Sequence, residues 1–201
     1  MQPMPRGPVR DADEVRAEVV EATENLMIER GVRAVRLRDV IARSGVSNGQ
    51  LYGVFASLDE AIMTVNAKTL RRLEKWLVRD AAQAQPVERL VAFARCYLAF
   101  AREETPLWRA LFEYAPQEEG TMAADLRTDQ ARLFEYPAAP LAELYPDLGA
   151  DGVLLRARTL FSAVHGVVTV SLESRYAGVS VERLEEELTG LVRAAIAGYL
   201  R

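Results

Sequence analysis

The sequence predicts an all-α protein in two parts, a small N-terminal unit of three helices and a larger helical body. Three observations carry this reading. Apolar residues recur at helical spacing along nearly the whole chain. Ser, Asp, Pro and Gly punctuate those stripes where helices start and stop. Strand signals are scarce, the one conflict being the β-branched run Val167-Val168-Thr169-Val170, expected as helix because its flanks are helical and no partner strand is visible.

Met1–Arg10, with Pro3, Pro5, Gly7 and Pro8, is expected as a flexible arm over residues 1–10, and it lacks the apolar block of a signal peptide. Asp11 with Glu14 fits a capping box, after which Val15, Val19, Ala22 and Leu26 recur on one face until Gly31 stops the first helix. Arg38–Ser44 is a short second helix, Gly45 breaks it, and Ser47 opens a third. Ser57 and Glu60 form another capping box, starting a long fourth helix toward Ala82. Pro86 starts a fifth, with a stripe of Leu90, Phe93, Tyr97 and Phe100, and Pro106 a sixth running to Tyr114. Pro116–Gly120 is a loop. Met122–Tyr145 is helical with a break at Pro137 and Pro140. Asp151–Tyr176 is a long helix ended by Gly178, and Ser180 caps the last, Val181–Leu200.

The chain has 201 residues, half of them apolar, enough for a substantial core and too apolar for disorder. No uncharged apolar run reaches the roughly 18 residues that cross a bilayer, so no membrane partner is expected. A lone Cys96 permits no internal disulfide and fits a reducing, cytoplasmic setting. One His and one Cys leave a poor ligand set for metal chemistry, and neither a metal nor another cofactor is expected.

Net charge is −4, yet from Arg30 to Ala56 five arginines (Arg30, Arg33, Arg36, Arg38, Arg43) face only Asp39. A compact basic segment on an otherwise acidic chain is the footprint of a small DNA-contacting unit, or else a solvated arginine face. The same segment has helix-turn-helix spacing. Val40, Val46, Leu51 and Val54 fall where two short helices would bury their contact, and Gly45 sits where the turn needs a positive φ. Gly45-Val-Ser47-Asn-Gly49 also matches the nucleophile elbow of serine hydrolases. That elbow follows a buried strand and needs a His partner, whereas here an amphipathic helix precedes Ser47. Glu103 and Glu104, being adjacent, point about 100° apart on a helix and make a poor acid–base pair. No enzyme activity is expected.

Gly45-Val46-Ser47, then Leu51-Tyr52-x-x-Phe55-x-Ser57 with an acidic pair and a long helix behind it, resembles the tetracycline-repressor (TetR) family of transcriptional regulators. The likeness covers about Val15–Val65. It departs at Leu58, where the family often has a phosphate-binding Lys, and at Ile41, where it usually has a small residue. The C-terminal part, through Pro106-Leu107-Trp108 and Phe161-Ser-Ala-Val-His165-Gly166, resembles the subgroup with a Trp-His-Gly motif in its ligand domain, without the Trp in register. The resemblance implies a helix-turn-helix DNA-binding domain over 11–56 and a helical ligand-binding and dimerisation domain over 57–201. It also implies a homodimeric regulator, a repressor, released from a pseudo-palindromic operator by a small molecule. The rival reading is an all-helical adaptor module that binds a protein through the hairpin.

Expected DNA-binding residues are Arg36, Arg38, Ser47, Asn48, Gly49, Gln50 and Tyr52. Asn48 is placed to read a base edge, Gly49 to permit close approach, and Ser47, Tyr52 and the arginines to meet phosphates. Gln50 either pairs with adenine or turns back to cap its helix with Ser47. Expected effector contacts are Tyr97, Phe100, Trp108, Phe112, Phe134, Phe161 and His165, an aromatic set suited to an apolar or aromatic effector. His165 is either a ligand contact or a hydrogen-bonded core residue. The uncharged run Thr159–Leu172 and the stripe of the last helix exceed what one subunit's core absorbs, so a four-helix dimer interface is expected around Val164, Val168, Leu184, Leu188, Leu191 and Ala195.

Overall fold

The computed structural model describes residues 10–78, 85–115, 124–173 and 178–199, and every regular element among them is helical. The expected arm before Arg10, the end of the fourth helix toward Ala82, the Pro116–Gly120 loop and the end of the long helix at Tyr176 lie outside the described residues.

The N-terminal unit comprises α1 (Ala12–Arg30), α2 (Leu37–Ser44) and α3 (Asn48–Val54). The Asp11 carboxylate caps α1 by accepting from the N–H of Asp13 at 3.1 Å instead of forming the expected box with Glu14. Gly31 leaves α1 at φ 77°, and Gly45 ends α2 at φ 69° in the left-handed region, both positions that penalise a side chain. Val15, Val19 and Leu26 of α1 close on Val40, Val46, Leu51 and Phe55 to make the core of this unit.

That core is completed from outside the three helices. α4 (Leu58–Val78) supplies Ala61, Ile62 and Val65, and α6 (Thr105–Glu113) supplies Leu107 and Ala110. The Ser57 hydroxyl accepts from the Glu60 N–H at 3.2 Å and the Glu60 carboxylate from the Ala56 N–H at 2.7 Å, so α4 starts where the sequence predicted.

The larger core gathers side chains from α4, α5 (Pro86–Glu103), α6, α8 (Glu135–Leu144), α9 (Gly149–Leu172) and α10 (Leu184–Tyr199), with α7 (Ala124–Leu133) packed beside α4. The expected break at Pro137 and Pro140 occurs earlier, at Phe134. Pro137 falls in the first turn of α8, where no intrahelical donor is needed, and Pro140 is accommodated inside the helix. α10 begins at Leu184 and not at Val181, because Ser180–Arg183 close as a turn, with the Arg183 N–H on the Ser180 carbonyl at 3.0 Å. Val167–Val170 is helical, as the flanks predicted. By length and composition alone Pro146–Leu172 could cross a membrane, since an 18-residue window within it reaches a mean hydropathy of 1.3. Its inner face, including Val153, Ala157 and Leu160, is packed in the core.

Four residues of the expected dimer interface are elsewhere. Val164, Val168, Leu184 and Leu188 are buried inside the subunit's own core, and Leu191 and Ala195 pack half-buried against it. The helical stripe points inward because α9 and α10 must also cover α5. The exposed residues of α9 instead include Leu155, Arg158, Thr159, Ser162, Ala163, Gly166 and Val170, and those of α10 are Glu185, Glu186, Glu187, Gly190, Arg193, Ala194, Ala197 and Gly198.

Candidate nucleic-acid interface and ligand cavity

α3 is short, and its geometry is set at both ends. The Ser47 hydroxyl accepts from the Gln50 N–H at 3.3 Å, and Gln50 Oε1 accepts from the Ser47 N–H at 2.8 Å. This reciprocal box starts the helix. It also engages the Gln50 side chain as a cap, the second of the two readings the sequence left open. At the other end Arg16 of α1 donates to the Val54 carbonyl at 2.8 Å while its guanidinium lies 4.3 Å from the Phe55 ring centre. Arg16 was not among the expected residues. Its signal in the sequence was faint, a lone arginine one position after the buried Val15.

The outer surface of this hairpin carries the expected DNA-binding set. Arg36, Arg38 and Asn48 line one shallow groove with Leu37 and Ile41. The Arg38 side chain is 88% exposed. Arg36 rests on the carbonyls of Arg33 at 2.7 Å and Val35 at 2.9 Å, holding its charge near the start of α2. Arg43 is committed elsewhere, in a two-pronged pair with Glu29 that holds that carboxylate below its usual range. Tyr52 is 56% exposed although its neighbours Leu51 and Phe55 are buried. Gly49 and Gly53 stand one turn apart on the exposed side of α3. Neither has a positive φ, and a Cβ at either would meet nothing within 4 Å. Their lack of side chains is therefore unexplained by the chain's own packing, and it costs a helix about 1 kcal/mol each. Gly53 went unnoticed in the sequence because a glycine inside a short helical stretch gives no periodic signal.

The second site is a cavity of about 320 Å3 in the C-terminal bundle. Of the residues expected there, Tyr97, Phe112, Phe134 and Phe161 line it. Phe100, Trp108 and His165 do not. Phe100 is fully buried and meets Trp76 edge-on at 6.2 Å. The buried Trp108 and the half-buried His165 both hydrogen-bond to the Tyr97 hydroxyl instead. Trp108 Nε1–H donates to the Tyr97 hydroxyl at 2.8 Å, and the same hydroxyl is hydrogen-bonded to His165 Nδ1 at 2.7 Å. His165 Nε2 lies 3.3 Å from Thr169 Oγ1. Burial lowers the imidazole's affinity for a second proton and pushes the Tyr97 phenol upward. His165 is thus hydrogen-bonded and half-buried outside the lining, with its ring centre 4.1 Å from that of the cavity-lining Phe112. The aliphatic wall, Leu70, Leu73, Leu77, Leu111 and Leu160 among it, was missed because leucines at helical spacing read only as core.

Residues 90–199 match the family described as "Tetracyclin repressor-like, C-terminal domain", and residues 19–60 match "Bacterial regulatory proteins, tetR family". The chain belongs to the TetR family. Among named relatives it is similar to the HTH-type transcriptional repressor KstR2 of Mycobacterium tuberculosis, 36% identical over 80 residues, 37% of this chain and 38% of that protein. The chain thus matches less than half the length of that curated relative. Over 98% of both chains it superposes on a protein of unknown function from Rhodococcus sp. RHA1 with a TM-score of 0.72 at 20% identity. A putative TetR-family transcriptional regulator from Syntrophomonas wolfei aligns over 94% of this chain and 97% of its own, with a TM-score of 0.68 at 15% identity. In this TetR-family chain the two sites share their supports. α4 runs from Ile62 in the reader core to Leu73 in the cavity wall, and α6 carries Leu107 on the reader side and Leu111 on the cavity side.

Proposed function

We propose that the chain is a ligand-responsive transcriptional regulator, a repressor, that binds a two-fold symmetric DNA site as a homodimer and releases it when a small molecule fills the cavity. In this reading Arg36, Arg38 and Tyr52 hold phosphates, Asn48 reads a base edge, Gly49 lets the backbone approach, and Ser47 and Gln50 chiefly start α3. The exposed small residues of α9 (Ser162, Ala163, Gly166) and of α10 (Gly190, Ala194, Ala197) meet their copies in the partner. The protein works in the cytoplasm and carries out no chemistry of its own.

One observation carries the regulatory half. α4 and α6 each place side chains in the reader core and in the cavity wall, so a ligand that reshapes the wall moves the reader without any further part. The ligand must favour one of the two reader geometries, and a coupling of about 1–3 kcal/mol changes operator affinity about 5- to 150-fold.

The test is enrichment of bound fragments from random duplex DNA. An inverted repeat should emerge, and its affinity should fall steeply with salt as counterions are released. Enrichment of no sequence, or salt-independent capture of a protein by the hairpin, would contradict it.

A further inference from the structure

The cavity's volume of about 320 Å3 is roughly twice the ~150 Å3 void that takes up one benzene ring in a protein interior. Among the described lining residues only Tyr97 has a polar group on its side chain, and none is charged. The Tyr97 hydroxyl is already engaged twice, accepting from Trp108 and hydrogen-bonded to His165 Nδ1. Arg158 stacks on Phe134, 5.7 Å from the ring centre, but is not among the lining residues. Rings of the wall meet edge to face, Tyr97 on Phe161 at 5.4 Å and Phe134 on Phe161 at 5.5 Å. Phe112 lines the cavity and is nevertheless 48% exposed, so one wall is reached from solvent.

These walls discriminate by what they withhold. An anion entering here leaves its hydration shell and finds hydrocarbon, with no cation among the described lining residues to compensate. A cation meets ring faces, worth about 0.5–2 kcal/mol, but no carboxylate, and its desolvation costs several kcal/mol. A neutral molecule rich in hydroxyls gives up water and gains no partner. A flat apolar molecule loses little and gains burial against the apolar walls. We infer that the cavity takes an uncharged, hydrogen-bond-poor hydrophobe of about two-ring size. The inference rests on reading this cavity as the effector site, and it supplies the chemical class.

The experiment titrates the full chain by calorimetry with three probes of one shape: naphthalene, 2-naphthoate and (2-naphthylmethyl)trimethylammonium. Naphthalene is expected to bind with a negative heat-capacity change, and each charged probe on the order of 100-fold more weakly. Ala94→Phe, which fills the cavity, should abolish naphthalene binding, and Leu111→Trp serves as a second filling variant should the first fail to fold. Equal or tighter binding of either charged probe overturns the inference. So does absence of naphthalene binding, or binding that survives filling in a folded variant. Naphthalene uptake that leaves operator occupancy unchanged supports the ligand class while removing the regulatory reading. Operator release by 2-naphthoate with no naphthalene uptake does the reverse.

Discussion

Arg72 of α4 donates to Glu24 of α1 at 2.6 Å, joining the helix that walls the cavity to the helix on which the reader is built. Its other nitrogen reaches Glu104 at the α5–α6 corner at 3.0 Å, and Lys68 also holds Glu24. Burial pushes the Glu24 carboxyl upward, but hydrogen bonds from Lys68 and Arg72 outweigh it, and the net direction is down. Arg72 lies between Leu70 and Leu73, both of which face the cavity. In the proposed mechanism, a ligand pressing on those leucines would shift the guanidinium that holds the reader helix.

Arg72→Met is expected to lower stability by about 1–3 kcal/mol, since it leaves two mostly buried carboxylates with fewer partners. It should also shrink the ligand's effect on operator affinity toward none while ligand binding persists. Calorimetry on the variant together with operator titrations with and without ligand checks both. Undiminished release by ligand would remove Arg72 from the coupling path.

The Tyr97 hydroxyl makes a separate prediction. Tyr97→Phe strips it and leaves the Trp108 N–H and His165 Nδ1 without their partner. A loss of about 1–3 kcal/mol in urea unfolding is expected although almost no volume is removed. A change within error would mean that water satisfies both groups.

The pH dependence has a definite sign. His165 is held below the ordinary imidazole value of 6.5 by burial, so the folded chain takes up this proton less readily than the unfolded chain. Its contribution to stability is intact above that value and is lost as pH falls below it. The urea midpoint of the parent should drop between about pH 7.5 and about pH 5.5, and His165→Gln should drop less. Parallel curves would show that the imidazole does not drive the change.

Gly49 and Gly53 predict opposite movements of stability and binding. Gly53→Ala should raise stability by about 0.5–1 kcal/mol, because a Cβ meets only open space and the helix gains propensity. The same change should weaken operator binding by obstructing close approach of α3 to DNA. A thermal melt and a gel titration on one sample decide it, and a stabilised variant with unchanged affinity would show that Gly53 does not face the duplex.

Much of this was legible in the sequence, and what was not has physical reasons. Caps and glycines are local, so Ser47, Ser57, Gly31 and Gly45 marked the reader's helix ends correctly. Periodicity says that a stripe is buried without saying against what. Leu184 and Leu188 were therefore assigned to a partner and proved to belong to the subunit's own core. The same ambiguity concealed the leucine wall of the cavity. Tyr97, Trp108 and His165 were all expected as effector contacts, but only their distances showed Trp108 and His165 bonded to Tyr97. Prolines misplaced the α7–α8 break because a proline in the first turn of a helix starts it as readily as it ends one.

The assembly prediction follows from that correction. Ala163→Arg, on the outer face of α9, should give folded monomers in sedimentation, whereas Leu188→Glu should unfold the chain. A dimer unaffected by Ala163→Arg would place the interface elsewhere.

The account stands or falls on α3 and its flanking arginines meeting a duplex. The most direct measurement is the operator affinity of the parent and of Arg38→Ala across salt concentrations from about 50 to about 200 mM. The parent should lose affinity linearly in log salt, and the variant should lose about one from the slope for each subunit while keeping the same preferred sequence. Identical slopes for the two proteins, or an affinity that ignores salt, would contradict it.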